Sequence, residues 1–558
     1  MRPAVPVIRP VRTLALIAAA LLALTTLVPG GATAAPRARE LAPLLPVIDC
    51  AAVPGLDLTG VTDAPVTIKS ATVTSANAPA PYCAVTGTIA PADTFVMRLP
   101  VNGWTQRYLQ TGCGGLCGSA NIGYTQAASC EPVADGTIAS ATTDMGHQGL
   151  NDGSWAADNP QALIDFAYRG VHVTSQVAQE LIKRFYGRSA AYSYFDGCSD
   201  GGREALMEAQ RYPDDFDGIA AGAPASNIVV QNTYHHAWNV LANQDANGNY
   251  LLLADKLPLI HSAVLHQCDS LDGVVDGVLD DPRNCRFDPR TLVCADTANC
   301  LTAAQAAVVE RLHDGATDGH GRRLEQEISH EWGSELDWTL FVPAKQGDVT
   351  FSENIALSFL RYLAYRNVAN PSYQLTDLEF TMASFRKTVQ TSDYLSATDP
   401  DLSRFRRGGG KLLLWHGWSD QHISPQATLN YWDAMRRTMG SRAVDGFAKL
   451  YLLPGMAHCG GGLGPNSFDV LTPVMNWVES GTAPGRIVAS MTGRTRPVFP
   501  YPQVARYDGT GSTDDQANFV AVTPRRESTV GYAWAGAWLY SHGYQKTCRA
   551  VNGKLVCG

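Results

Sequence analysis

The chain has 558 residues, 45% hydrophobic and 17% charged, with 51 Gly and 32 Pro, a composition that excludes a disordered or fibrous protein. Its formal charge of −9 at pH 7 argues against nucleic acid or an anionic membrane as partner, since such a surface repels both polyanions. At roughly 100–200 residues per domain, the length allows two to four units or one α/β domain with a long insertion.

Arg2, Arg9 and Arg12 precede the apolar run Leu14 to Leu24, and Ala32-Thr33-Ala34 follows, the layout of a secretory signal cut after Ala34. Thr25, Thr26 and Pro29 interrupt the run short of the ~20 residues that a spanning helix needs. Cleavage removes three Arg and no acid, so the mature chain is more acidic still. All 13 Cys lie beyond the cut. An exported chain with so many thiols is expected to be disulfide-bonded, and the odd count leaves at least one unpaired. Local spacing pairs Cys268 with Cys285, Cys294 with Cys300, and Cys548 with Cys557, the last around an Asn552-Gly553 turn. Cys113 and Cys117 read poorly as zinc ligands, because no second CxxC or HxxxH pair completes four ligands.

Residues 65–100 alternate in β fashion and predict an antiparallel edge. From about residue 104 strand, loop and helix follow one another. Arg107 to Thr111 and Ile138 to Thr142 read as strands, Pro160 to Tyr186 as a long amphipathic helix, Tyr192 to Phe195 as a strand, and Gly202 to Tyr212 as a helix. The alternation stops between about 226 and 400 and resumes with strands at Lys411 to Trp415 and Phe447 to Leu453. The predicted fold class is α/β, a mostly parallel sheet covered by helices, with residues 35–225 and 401–558 forming one domain and 226–400 inserted into it.

Gly197-Cys198-Ser199-Asp200-Gly201 is a G-x-S-x-G sequence between a predicted strand and a predicted helix, the setting of a nucleophile elbow. A bare match would be a Gly-rich turn with an incidental serine; the flanking elements favour the nucleophile. A serine hydroxyl needs a base and an orienting acid. Asp420 follows the strand-like run Leu412 to Trp415, and His458 follows Tyr451 to Leu453, which is the Ser, Asp, His order of α/β-hydrolases. His416 and His422 are rival bases. Cys198 precedes Ser199 and Cys459 follows His458, so a bond between them would draw serine and histidine together, and no other His has such a neighbour. The backbone amide of Asp200 is one expected oxyanion donor; the loop Gly112 to Gly118 is expected to supply the other, from Gly115. In Cys268 to Val278 three carboxylates crowd a short window with two glycines, which suits calcium: Asp269, Asp272 and Asp276 through side chains, Val274 and Val278 through carbonyls. It is not an EF-hand, and a solvated acidic turn is the plainer alternative.

Together, Gly197-Cys198-Ser199-Asp200-Gly201-Gly202-Arg203-Glu204, the loop from Cys268 to Asp280, His416-Gly417-Trp418-Ser419-Asp420 and Pro454-Gly455-Met456-Ala457-His458-Cys459 resemble the tannase and feruloyl esterase family, which includes the mono(2-hydroxyethyl) terephthalate hydrolases. The resemblance spans nearly all of the mature chain. It implies a secreted α/β-hydrolase with a large inserted lid domain holding structural calcium. It also implies the triad Ser199, Asp420 and His458, the Cys198 to Cys459 bond, oxyanion amides at Gly115 and Asp200, and pairing of Cys50 with Cys83. Cys113, Cys117 and Cys130 fall outside the implied pairs, and no arginine for a terephthalate carboxylate can be placed between about 340 and 400. The implied substrate is a small aromatic ester of hydroxycinnamate or gallate type, from plant polyphenol or cell wall, met by a monomer or weak oligomer. Terephthalate monoester hydrolysis, a serine peptidase and a non-catalytic binder are the alternatives. Trp332, Trp338, Phe359 and Tyr362 are candidate aromatics for stacking on an acyl ring, or simply core.

Overall fold

Along each central strand alternate residues point to opposite faces, and the packing follows that period of two. Tyr108, Phe195, Ile219, Leu412, Leu414 and Leu450 enter one core; Leu109, Tyr194, Ala220, Leu413, Trp415 and Tyr451 enter the other. The strands are therefore buried on both sides, as a parallel sheet between helical layers requires. The first core takes its helical half from Gly170–Tyr186, Asp200–Arg211 and Pro425–Met439, the second from Leu471–Ser480. The computed structural model describes residues 40–295, 299–524 and 533–558, so the signal segment lies outside the described residues.

The main sheet has nine strands: β1 (Val66–Thr74), β2 (Tyr82–Ile89), β3 (Asp93–Pro100), β4 (Arg107–Thr111), β5 (Ala139–Thr143), β6 (Tyr192–Cys198), β7 (Gly218–Gly222), β8 (Lys411–Gly417) and β9 (Ala448–Leu453). Their order is β1-β2-β3-β5-β4-β6-β7-β8-β9. β1, β2 and β3 pair antiparallel, β3 joins β5 antiparallel, and every pairing from β5 to β9 is parallel. This is the α/β-hydrolase arrangement, with the antiparallel edge expected from residues 65–100.

Strand β7, Gly-Ile-Ala-Ala-Gly, escapes sequence reading because small residues carry little β-propensity. Tertiary packing demands them: a Cβ on Gly222 would lie 2.0 Å from the Trp415 ring of β8. The long helix predicted over 160–186 is interrupted by a π turn at Asp165–Arg169. Such a turn diverts backbone carbonyls from the helix ladder. Here the carbonyls of Phe166 and Ala167 accept from the buried Arg203 guanidinium at 3.0 and 2.8 Å.

Among the described residues, the stretch between β7 and β8 adds no strand to the main sheet. Most of the buried hydrophobic residues between Leu252 and Val342 form a core of their own, whereas Ala316, Leu324, Ile355, Phe359, Leu360 and Phe385 join the first core of the sheet. Three two-stranded ribbons follow β9: β10 (Ile487–Met491) with β11 (Arg494–Val498), β12 (Val504–Tyr507) with β13 (Phe519–Val522), and β14 (Cys548–Val551) with β15 (Lys554–Cys557). The last turns on Asn552 and Gly553, both at positive φ, as an Asn-Gly hairpin does.

Six disulfides link Cys50 to Cys83, Cys113 to Cys117, Cys198 to Cys459, Cys268 to Cys285, Cys294 to Cys300 and Cys548 to Cys557. Cys130 is the odd thiol, buried with its Sγ 3.6 Å from the sulfur of Met475. Among the described residues, no helix is long and apolar enough to cross a membrane.

Candidate active site

β6 runs into Ser199 and the helix Asp200–Arg211 leaves it, forcing Ser199 to φ 67°, ψ −121°. Side-chain-bearing residues rarely hold positive φ, and the strain is sustained by the surrounding bonds. Ser199 N–H donates to the Gly222 carbonyl (3.0 Å), and its own carbonyl accepts from Arg203 and Ala225 (3.1 and 3.0 Å). The hydroxyl stands at the carboxyl end of the parallel strands, where ligands bind in open α/β sheets.

Asp420, on the loop after β8, is buried and fully hydrogen-bonded. Its Oδ2 accepts from His458 Nδ1 at 2.8 Å and His416 Nε2 at 3.0 Å, and its Oδ1 from the amides of His422 and Ile423 at 2.8 and 2.9 Å. Burial alone would raise this carboxyl; His458 and His416 beside it hold it well below the usual carboxylate range, so it stays ionised. His458, after β9, thereby turns Nδ1 to Asp420 and leaves Nε2 without a hydrogen-bond partner among the described residues.

The two rivals separate cleanly. His416 is fully buried, with Nδ1 on Thr428 Oγ1 (2.7 Å), and serves Asp420. Among the described residues the His422 ring has no hydrogen bond to a carboxylate; it lies 4.6 Å from the ring of His458 and 4.6 Å edge-on to Phe351, and burial lowers its pKa to about 3. Cys198 and Cys459, with Cα atoms 6.0 Å apart, tie the serine turn to the histidine loop.

Ser199, Asp200, Gly115 and His458 line one cleft of about 390 Å³. Gly115 sits at φ 62°, and a Cβ there would meet the Leu150 carbonyl at 2.5 Å. Among the described residues, neither the Gly115 nor the Asp200 amide has an acceptor, so both are open to an oxyanion. The Asp200 carboxylate is turned inward onto Arg203 (2.5 and 2.9 Å) and takes no part in the cleft's charge. Besides Thr125, Leu150 and Asn151, the walls include Gln231, Asn232, His236, Phe351 and Ile355, and sequence reading named none of these last five. They come from the insertion, where no motif marks which face is turned to the serine. The four aromatics singled out in the sequence lie elsewhere: Trp332 and Trp338 in the insertion's own core, Phe359 in the main core, and Tyr362 packed against it.

In the acidic loop, Asp269 accepts from the amides of Asp276 and Gly277, and Asp272 from those of Val274 and Asp280. Asp276 is paired with Arg496. Burial, then Asp272, pushes Asp280 up to about 8; burial, with Asp276 and Asp269 adding, pushes Asp272 up to about 6. These partly buried, mutually repelling carboxylates are the hard-oxygen donor type that a divalent cation takes, although among the described residues no three of them converge to the spacing of one ion, and the Arg496 guanidinium supplies part of the compensating charge. The zinc alternative at Cys113 and Cys117 is closed, since the two sulfurs are bonded to each other.

A strained serine elbow on a parallel sheet, an Asp-oriented histidine and two open amides define an α/β-hydrolase equipped for acyl transfer. The sequence profile of tannase and feruloyl esterase matches residues 77–522, and the chain belongs to that family of carboxylic ester hydrolases. It is 34% identical over 519 residues to mono(2-hydroxyethyl) terephthalate hydrolase of Piscinibacter sakaiensis, covering 79% of this chain and 85% of that one. It is 31% identical over 467 residues to probable feruloyl esterase B-1 of Aspergillus fumigatus, covering 78% and 84%. The crystal structure of feruloyl esterase B from Aspergillus oryzae superposes with a TM-score of 0.73 at 28% identity, covering 85% of this chain and 99% of that one.

Proposed function

We propose that the protein is a secreted esterase that cleaves esters of hydroxylated aromatic acids, of hydroxycinnamate or gallate type, whose acyl groups carry no charge, through an acyl-enzyme on Ser199. His458 Nε2 takes the hydroxyl proton as the oxygen attacks the ester carbonyl, and Asp420 stabilises the resulting imidazolium. The amides of Gly115 and Asp200 receive the negative oxygen. Collapse expels the alcohol with the proton from His458, and water repeats the sequence to free the acid.

The observation that carries the substrate class is the lining of the cleft. Among the described residues it contains no Lys or Arg; beside the serine and histidine of the site, its walls are apolar side chains with the neutral polar groups of Thr125, Asn151, Gln231, Asn232, His236 and His422. Burial holds both histidines below the ordinary imidazole range. Uncharged donors and acceptors suit phenolic hydroxyls. A terephthalate monoester brings a free carboxylate, which would be desolvated here without a counter-charge. On methyl ferulate, methyl gallate, chlorogenate and mono(2-hydroxyethyl) terephthalate, at least one of the first three should show a kcat/KM about tenfold or more above the terephthalate ester, one tenfold step being 1.36 kcal/mol of barrier. A terephthalate ester cleaved as well as the best of them would overturn this assignment and favour the activity for which the Piscinibacter relative is named.

The same reading assigns structural calcium to Asp269, Asp272 and Asp276 with the carbonyls of Val274 and Val278, supported by the hard-oxygen donor set and by the partly buried Asp280 carboxyl crowded against it. The ion would hold the loop and stands outside the chemistry. At free calcium about 100 times its Kd, binding adds about 2.7 kcal/mol, which for a chain of this size raises Tm by roughly 2–3 °C. Melting in calcium against melting in chelator should give that difference; identical curves would remove calcium from the assignment.

A further inference from the structure

The loop carrying Gly115 is held in a way that the triad does not explain. Cys113 and Cys117 close a ring around Gly114, Gly115 and Leu116. With a sequence separation of 4 against 6 to 261 for the other five bonds, it encloses the shortest loop of the six. Loop-closure stabilisation grows with loop length, so this ring contributes least to global stability, and its main effect is on local conformation. That conformation is a demanding one: Gly115, Cys117 and Gly118 all have positive φ, at 62°, 63° and 82°.

The ring also rests on the nucleophile's own helix. The Gly201 amide donates to the Cys113 carbonyl at 2.7 Å, and the Cys113 amide to Glu204 Oε1 at 3.3 Å. That same oxygen lies 2.7 Å from the sulfur of Cys113 and 3.3 Å from that of Cys117. Glu204 is buried on the helix that begins one residue after Ser199, so both oxyanion amides are referred to one rigid element.

We propose that the Cys113 to Cys117 disulfide, seated on Glu204, is a positioning element of the oxyanion site: it fixes the Gly115 amide relative to the Asp200 amide and so acts on the transition state rather than on substrate binding. This rests on the Ser199 reading above. Loss of the ring should leave ground-state affinity intact and weaken whatever bears a tetrahedral, negatively charged centre.

The test uses Cys113→Ser/Cys117→Ser and Cys113→Ala/Cys117→Ala in the full chain, on the best ester of the wild type. A phenylboronic acid serves as tetrahedral probe; the Ser199 oxygen adds to boron while its proton passes to His458. We expect kcat to fall about 10- to 100-fold, within what one oxyanion donor is worth, with boronate affinity falling alongside. KM and inhibition by the free product acid should stay within about twofold, since those report uniform binding. Unchanged kcat and boronate affinity in folded variants would overturn the proposal. Should neither double variant fold, Glu204→Leu and Glu204→Gln probe the same seat: Leu is expected to lower kcat and boronate affinity together and Gln to restore both, and equal values for the two would overturn it. Ser199→Ala run in parallel separates the failures, because activity surviving there would sink the acyl-enzyme reading itself.

Discussion

Replacing Ser199 by Ala is expected to lower kcat by at least about 10⁴-fold, since removal of a triad nucleophile leaves only the catalysis that oxyanion donors and binding provide. The substitution deletes one oxygen at a turn whose backbone is held by Gly222, Arg203 and Ala225, so the fold should survive it and Tm should stay close to wild type. Labelling by a fluorophosphonate should vanish in parallel, because that reagent needs an activated serine. Residual activity near wild type in a folded, unlabelled variant would mean that another group performs the chemistry, and His458 with Asp420 would have to be reassigned.

The second large effect is expected from Cys198→Ser/Cys459→Ser. This bond closes a separation of 261 residues, the longest in the protein, and the chain-entropy relation puts the stabilisation of so long a loop at about 5.6 kcal/mol. Tm should fall by roughly 4–6 °C for a chain of this length. Activity should fall further than stability alone explains. The bond joins the residue before the nucleophile to the residue after the base, and a displacement of about 1 Å between reacting groups costs about 10²-fold in rate. Measuring kcat at a temperature well below either melting transition separates the two effects. A lowered Tm with unchanged kcat would make the bond a staple without a catalytic role.

Much of the site is readable from local pattern. Ser199, Asp420 and His458 each stand just beyond a strand recognisable by its apolar run, and strand ends on one edge of a parallel sheet converge by construction. The hairpin at Cys548–Cys557 and the pairs Cys268 with Cys285 and Cys294 with Cys300 are local too, separated by 9, 17 and 6 residues. What escapes sequence reading is either conformationally silent or long-range. The small-residue strand β7 exists because Trp415 needs the room, and the π turn because Arg203 needs two carbonyls. Neither cause lies within the segment it shapes.

The amino-acid sequence by itself determined the α/β class, the elbow, the standing of Ser199, Asp420 and His458 just beyond strand ends, and the disulfides Cys268 to Cys285, Cys294 to Cys300 and Cys548 to Cys557, because each of these depends on periodicity, turn chemistry or spacing over a short stretch. Only the tertiary structure decided that, of the two histidines His422 and His458 that line Ser199's cleft, it is His458 whose ring bonds to Asp420, that Cys113 bonds to Cys117 beside Glu204, and that the cleft walls carry no Lys or Arg among the described residues. Those outcomes depend on which faces of distant segments meet, and burial energy settles that over the whole chain at once, where no local pattern reports it.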